Sequence, residues 1–151
     1  MCVVVEYSYN GERCYVTAEA RGSRLPVRYR GGVVLMHLWG AQGRAFHNEP
    51  AAIRIRWSDE PFVDLSLMKG GAWAEFEPKA VRIPITRFMV YRALGEVTID
   101  EWITLKPGEY LQGALLRRGV EHAVYVVTVS PPPDLDVVSP WPRIVSSRAK
   151  V

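Results

Sequence analysis

Short alternating and β-branched runs dominate the chain, and they predict strands far more often than helices. Val3-Val4-Val5-Glu6-Tyr7-Ser8-Tyr9 and Glu12-Arg13-Cys14-Tyr15-Val16-Thr17 flank Asn10-Gly11, a dipeptide that accepts the positive backbone angles of a type I′ turn. A two-residue turn there sets the register so that Cys14 faces Tyr7 and Cys2 faces Glu19. Further strand-like runs fall at 33–39, 52–57, 80–85, 110–116 and 122–129, which makes about seven strands. Helical signals are few. Residues 60–68 and 72–76 can each form two turns at most, separated by Gly70-Gly71, and Thr98-Ile99-Asp100-Glu101 has the Thr-x-x-Glu spacing of a capping box before Trp102 and Leu105. Pro131-Pro132-Pro133 ends the last long strand, so 134–151 reads as an extended C-terminal segment. The fold class expected is α+β and mainly β: a curved or barrel-like antiparallel sheet with two or three short helices, forming a single domain over 1–151.

Composition narrows the function classes. With 151 residues of which 48% are hydrophobic, the chain can bury a core as one soluble globular domain. No apolar run approaches the roughly 18 residues of a membrane-spanning helix. The first ten residues lack the basic and small-residue pattern of a secretory signal, and two cysteines cannot form a disulfide scaffold. These features predict a cytoplasmic protein with reduced thiols and no membrane partner. Net charge is +3, but it is segregated: 1–58 carries eight Arg against four Glu, 59–136 carries eight basic against twelve acidic residues, and Arg143, Arg148 and Lys150 follow. Fifteen of the nineteen basic residues are Arg, the side chain suited to forked phosphate contacts and stacking, although a GC-rich genome also favours Arg.

Arg54 and Arg56 alternate with Ile53, Ile55 and Trp57, placing two guanidinium groups on one face of a strand and apolar groups on the other. Arg28 belongs to a second basic cluster with Arg21, Arg24 and Arg30. Trp39 and Trp141 are candidate stacking surfaces for unpaired bases. The competing reading is a half-exposed strand with solvated Arg and core Trp. His37, His47 and His122 are far apart in the sequence, with no metal-ligand spacing, and no phosphate loop, Cys-x-x-Cys or nucleophile elbow occurs. No metal and no cofactor are expected.

Cys2 is the candidate catalytic residue. A small second residue permits removal of Met1, leaving a thiol of pKa about 8.5 beside an amine of pKa about 7.7–8.0, both partly deprotonated near neutrality. Such a 1,2-aminothiol condenses with an aldehyde to a Schiff base and closes to a thiazolidine. The alternative is a small buried residue at the start of an edge strand. Cys14 is not placed to form a disulfide with it and is read as core.

The order of several segments resembles the SRAP (SOS response-associated peptidase) family. Met1-Cys2 resembles the family's start, Tyr15-Val16-Thr17-Ala18-Glu19-Ala20 its Tyr-Asn-x-Ala-Pro-Thr stretch, and Leu25-Pro26-Val27 its Val-Pro-Val. His37-Leu38-Trp39-Gly40 is similar to its Arg-Trp-Gly-Leu, and Val81-Arg82-Ile83-Pro84-Ile85-Thr86-Arg87-Phe88 to its Arg-Cys-Leu-Ile-Pro-Ala-x-Gly-Phe. Leu111-Gln112-Gly113-Ala114-Leu115-Leu116 resembles its Ala-Gly-Leu-Trp, Tyr125-Val126-Val127-Thr128 its Ile-Leu-Thr strand, and Val138-Ser139-Pro140-Trp141-Pro142 its His-x-Arg-Met-Pro. The resemblance implies single-stranded DNA as partner, and covalent trapping of abasic sites through Cys2 as a DNA–protein cross-link in the DNA-damage response. Departures accompany it. The family's Asn falls on Arg54, its Glu on Val90 and its His on Val138, while its Arg is kept as Arg56. A lost general acid or base costs typically about 10²–10⁴ in rate, so the resemblance equally implies a catalytically inactive, phage-encoded relative serving as a DNA-binding or protein-interaction module. A peptidase with an N-terminal Cys nucleophile is the third class.

Overall fold

The N-terminal hairpin forms in the expected register. In the computed structural model, which describes residues 3–18, 20, 22–40 and 61–146, β1 (Val4–Tyr9) pairs antiparallel with β2 (Glu12–Thr17), Val4 opposite Thr17 and Tyr7 opposite Cys14. Asn10 at φ 51° and Gly11 at φ 79° supply the two positive φ angles of the turn. The other strands are β3 (Arg24–Arg28), β4 (Val34–Leu38), β5 (Phe62–Asp64), β6 (Lys79–Ile83), β7 (Arg87–Leu94), β8 (Val97–Thr104), β9 (Glu109–Arg118), β10 (Glu121–Val129), β11 (Trp141–Pro142) and β12 (Ile144–Ser146). Among the described residues the helical pieces are one short helix, α1 (Leu65–Lys69), and 3₁₀ turns at Arg30–Gly32 and Ala74–Phe76. None is long and apolar enough to cross a membrane.

The strands form two sheets, a small one ordered β2-β1-β7-β8 and a larger one ordered β11-β10-β9-β6-β3-β4, with β12 added on β9 and β5 parallel to β10. The protein is thus mainly β, with antiparallel pairing predominant, as expected. The larger sheet curls until Trp39, just after β4, makes a single parallel bridge to Val124 of β10. Among the described residues it is not closed into a barrel. Its concave face meets the inner face of the small sheet, where Val5, Phe88 and Val90 pack with Trp39, Ile83 and Val126 in one core, all fully buried. On the other face of β9 and β10, Trp73, Phe76, Leu65 and Met68 from the helical segment cover Leu116 and Tyr125. Each such buried apolar side chain stabilises the fold by about 1.5–3 kcal/mol.

Several sequence expectations are corrected. Residues 98–101 are not a helix start but part of β8, joined to β7 through the two residues Gly95-Glu96, with Leu94 opposite Val97. The Thr-x-x-Glu spacing is present, but Val97, Thr98, Ile99, Ile103 and Thr104 are β-branched and fit the pleated sheet. The helix expected over 60–68 begins only after β5, where Asp64 caps it by accepting from Ser66 N at 2.9 Å and Leu67 N at 3.1 Å. Over 72–76, where two turns at most were expected, there is one 3₁₀ turn, Ala74–Phe76. The C-terminal segment is more than an extended tail: Arg143 N donates to Val127 O (2.8 Å) and Gln112 N donates to Arg143 O (2.9 Å), so β11 and β12 wedge between the splaying ends of β9 and β10. The strand expected at 52–57 lies outside the described residues.

Candidate nucleic-acid interface

Strand alternation gives the small sheet one apolar and one polar side. Val5, Phe88, Val90 and Ile103 point into the core. Cross-strand pairs Glu6–Tyr15, Glu6–Arg87, Ser8–Arg13, Met89–Trp102 and Tyr91–Asp100 share the opposite face. Ser8, Arg13, Tyr15, Asp100 and Thr104 are exposed on it, so among the described residues this face is open. An aromatic group lies at its centre. The Arg87 guanidinium sits 4.1 Å from the centre of the Trp102 ring, and Tyr15, half of whose surface is exposed, meets Trp102 edge-on at 6.3 Å. Cation–π and edge-to-face contacts of this kind hold the rings in place at low conformational cost.

Glu6 fixes the arginines. Although it points outward, it is almost completely covered, with Arg87 Nε 2.7 Å from Oε2 and Arg13 Nε 3.3 Å from Oε1. Burial pushes its carboxyl pKa up, but hydrogen bonds from Tyr15 and Arg87 and the charges of Arg87 and Arg13 outweigh burial and hold it below the ordinary value. The Arg87 pKa is raised in turn, chiefly by its hydrogen bond to Glu6. The result is a pre-ordered surface of one indole, one phenol and one fixed guanidinium, with the more exposed Arg13 at its margin. It offers the exposed Tyr15 ring and the stacked Arg87–Trp102 pair, with two arginines of which Glu6 offsets one charge, an arrangement of the kind that meets unpaired bases and phosphates.

The residues singled out from the sequence are dispersed. Cys2, Arg54 and Arg56 lie outside the described residues. Trp39 is not a stacking surface: it is fully buried, its Nε1 donates to Pro61 O at 3.0 Å, and its ring packs edge-on to Phe62 at 5.8 Å. The reason is the curl of the larger sheet, which carries Trp39 onto β10 and leaves no room for a base. Next to it, Gly40 at φ +73° packs so closely on Pro61 that a Cβ would lie 3.0 Å from the proline's own Cβ. Gly40 and Pro61 are therefore in direct contact, and Arg54 and Arg56 belong to 41–60, outside the described residues. Trp141 is half-buried and packs edge-on to Phe88 at 5.9 Å. Arg28 is exposed on the outer face of the larger sheet, where it faces Arg82 across the β3–β6 pairing, and both guanidinium groups stand over the Tyr110 ring at 5.6 and 5.8 Å. The Arg28 Nη1 also donates to the Tyr110 hydroxyl. Arg143 extends this basic surface with a hydrogen bond to Gln112 Oε1.

The platform residues Tyr15, Arg87 and Trp102 are not adjacent in sequence and meet only through the pairing of β2, β1, β7 and β8, of which the β7–β8 hairpin has a weak local signal. The local signal is Gly95-Glu96 between an apolar and aromatic stretch, 87–94, and a β-branched one, 97–104. Cys14 is half-buried against the core. Among the described residues no group of three or more His, Cys, Asp or Glu could hold a metal. No protein-family model, curated protein or solved structure matches the chain.

Proposed function

We propose that the protein binds single-stranded DNA on the outer face of the small sheet, and that Cys2, once Met1 is removed, traps an abasic site by thiazolidine formation as the SRAP resemblance implies. The observation that carries the binding is the open aromatic–arginine platform of Tyr15, Trp102 and Arg87. In the covalent step the Cys2 amine adds to the open-chain sugar aldehyde and releases water, and the thiol then adds across the resulting C=N bond, its proton passing to nitrogen. The resemblance gains support from proximity: Val90 and Val138, where it puts the family's Glu and His, lie on neighbouring stretches, with Val138 N donating to Tyr91 O at 2.9 Å. The apolar nature of those two positions also favours a second reading, a DNA-binding module without the covalent step, since neither side chain can move a proton.

The test uses full-length protein whose N-terminal mass is known, mixed with single-stranded DNA with and without one abasic site. Trp102→Ala should weaken binding to undamaged strand by roughly 5- to 100-fold, the loss of one base stack. The adduct should survive denaturation and vanish in Cys2→Ala, which retains the non-covalent affinity. Binding without adduct supports the module alone. No affinity for single strands at low salt removes both readings.

A further inference from the structure

The concave side of the larger sheet opens at one end into a groove of about 540 Å³, within the range of small-ligand sites. Five strands or strand ends reach it: Tyr29 after β3, His37 on β4, Lys79 at the start of β6, Leu115 and Arg117 on β9, and His122 on β10, with Glu77 at the rim. The polar groups are predominantly donors. The Tyr29 hydroxyl and His37 Nε2 are 2.7 Å apart, and Lys79 Nζ stands 5.9 Å from the centre of the Tyr29 ring. Glu77 is the one carboxylate among the described lining residues, and it is engaged by Arg117, with Nη2 at 2.5 Å and Nε at 2.7 Å. An ammonium, two imidazoles and a phenol, with the remaining N–H groups of a guanidinium that Glu77 holds, thus line a space that Leu115 borders.

We propose that this groove binds a phosphate monoester, the Lys79, Arg117, His37 and His122 side chains surrounding the phosphate and the Tyr29 ring and Leu115 receiving the attached organic part. A carboxylate presents two oxygens in one plane, whereas a tetrahedral phosphate monoester presents three terminal oxygens, which suits donors arriving from separate strands. Burial, with the charges of His122 and Arg24, pushes the His37 pKa below its ordinary value, and burial pushes the Tyr29 phenol up. The protonated Tyr29 hydroxyl can donate to His37 Nε2, and an incoming anion offsets the charges that, after burial, disfavour the imidazolium form of His37. The monoester can come from a free nucleotide or from the 5′-phosphate of a strand end. The groove is separate from the small-sheet platform, so the two sites fail or succeed independently.

The experiment follows the imidazole carbon-bound proton signals of His37 and His122 in labelled protein during titration with thymidine 5′-monophosphate and with thymidine. The nucleotide should move both signals saturably at concentrations of about millimolar or below, and thymidine should leave them in place. Lys79→Ala should weaken the response about tenfold or more, and Lys79→Arg should restore most of it, which separates lost charge from a fold defect. Trp102→Ala should leave it unchanged. Displacement of the nucleotide by a 5′-phosphorylated oligothymidylate, and not by its 5′-hydroxyl counterpart, assigns the strand end as a source; absence of displacement assigns the free nucleotide. No saturable shift with the nucleotide, or an equal shift with thymidine, overturns the proposal.

Discussion

Gly113 lies in the middle of β9, opposite Val81 of β6 and Val126 of β10, and its lack of a side chain is filled by its neighbours. A Cβ at this position would lie 2.7 Å from Ile83 Cδ1 and 3.0 Å from both Ile83 Cγ1 and Val81 Cγ2. Carbon atoms in favourable contact sit about 3.5–4.0 Å apart, so each must retreat by roughly half an ångström or more. The Ile83 terminus can rotate, but Val81 is β-branched and stiff. Overpacking of this kind costs about 1–3 kcal/mol, against which alanine recovers about 0.5–1 kcal/mol by restricting the unfolded chain. Gly113→Ala should therefore destabilise the protein by about 1–2 kcal/mol, lowering Tm by about 3–6 °C for a chain of this size. Urea unfolding measures it, with the midpoint falling and the slope unchanged. Ile83→Val removes the nearest obstructing methyl, so the double variant should lose at least about 0.5 kcal/mol less than the two single losses combined. A neutral or stabilising Gly113→Ala, or strict additivity of the pair, refutes the packing argument.

Glu6→Gln should lower stability most at neutral pH. Because the folded carboxyl pKa is held below its unfolded value, its contribution is full above the unfolded value of about 4.3 and is lost as pH falls through the lower folded one. Wild type and variant should therefore converge as pH falls, and a gap as wide in acid as at neutrality contradicts the ion-pair reading. Gly11→Ala places a Cβ at φ +79° and should cost about 1 kcal/mol in thermal unfolding, with no change in register. With Arg13 and Arg87 as the two cations of the platform, affinity for single-stranded DNA should fall only about sevenfold between about 50 and about 200 mM salt, and a much steeper loss would move the interface to the Arg28–Arg82–Arg143 surface.

The parts legible in the sequence were those fixed by local chemistry. Asn10-Gly11 specifies its turn, and with the turn comes the register that sets Tyr7 against Cys14. The runs that form β4, β6 and β10 stand out as apolar stretches with β-branched residues, and β9 stands out by its apolar content alone. β3 did not, because Pro26 sits in its middle, yet it pairs with β4 along its whole length and with β6 only at Arg28. The capping-box pattern at 98–101 masks β8, whose β-branched content overrides it, and β7, with Val90 as its one β-branched residue, carries little strand signal of its own. The platform was illegible for a related reason: Tyr15, Arg87 and Trp102 come from three strands and become neighbours only through pairing, while Trp39, prominent as a sequence feature, is drawn into the core by the curl of the larger sheet. Glu6 in a run of valines reads as an alternation signal, and nothing local announces that two arginines will cover it.

The insertion of β11 and β12 between β9 and β10 has a consequence for how the chain is made. During synthesis β9 and β10 can pair as a hairpin as soon as both exist, but Leu111 and Val127 then sit on diverging edges whose partners, at 141–146, have yet to emerge. Until they do, a nascent molecule carries two unpaired, apolar strand ends side by side, an open template for pairing with another chain. Arg143, which hydrogen-bonds to both strands through its backbone and to Gln112 through its side chain, is the residue whose arrival ends that exposure.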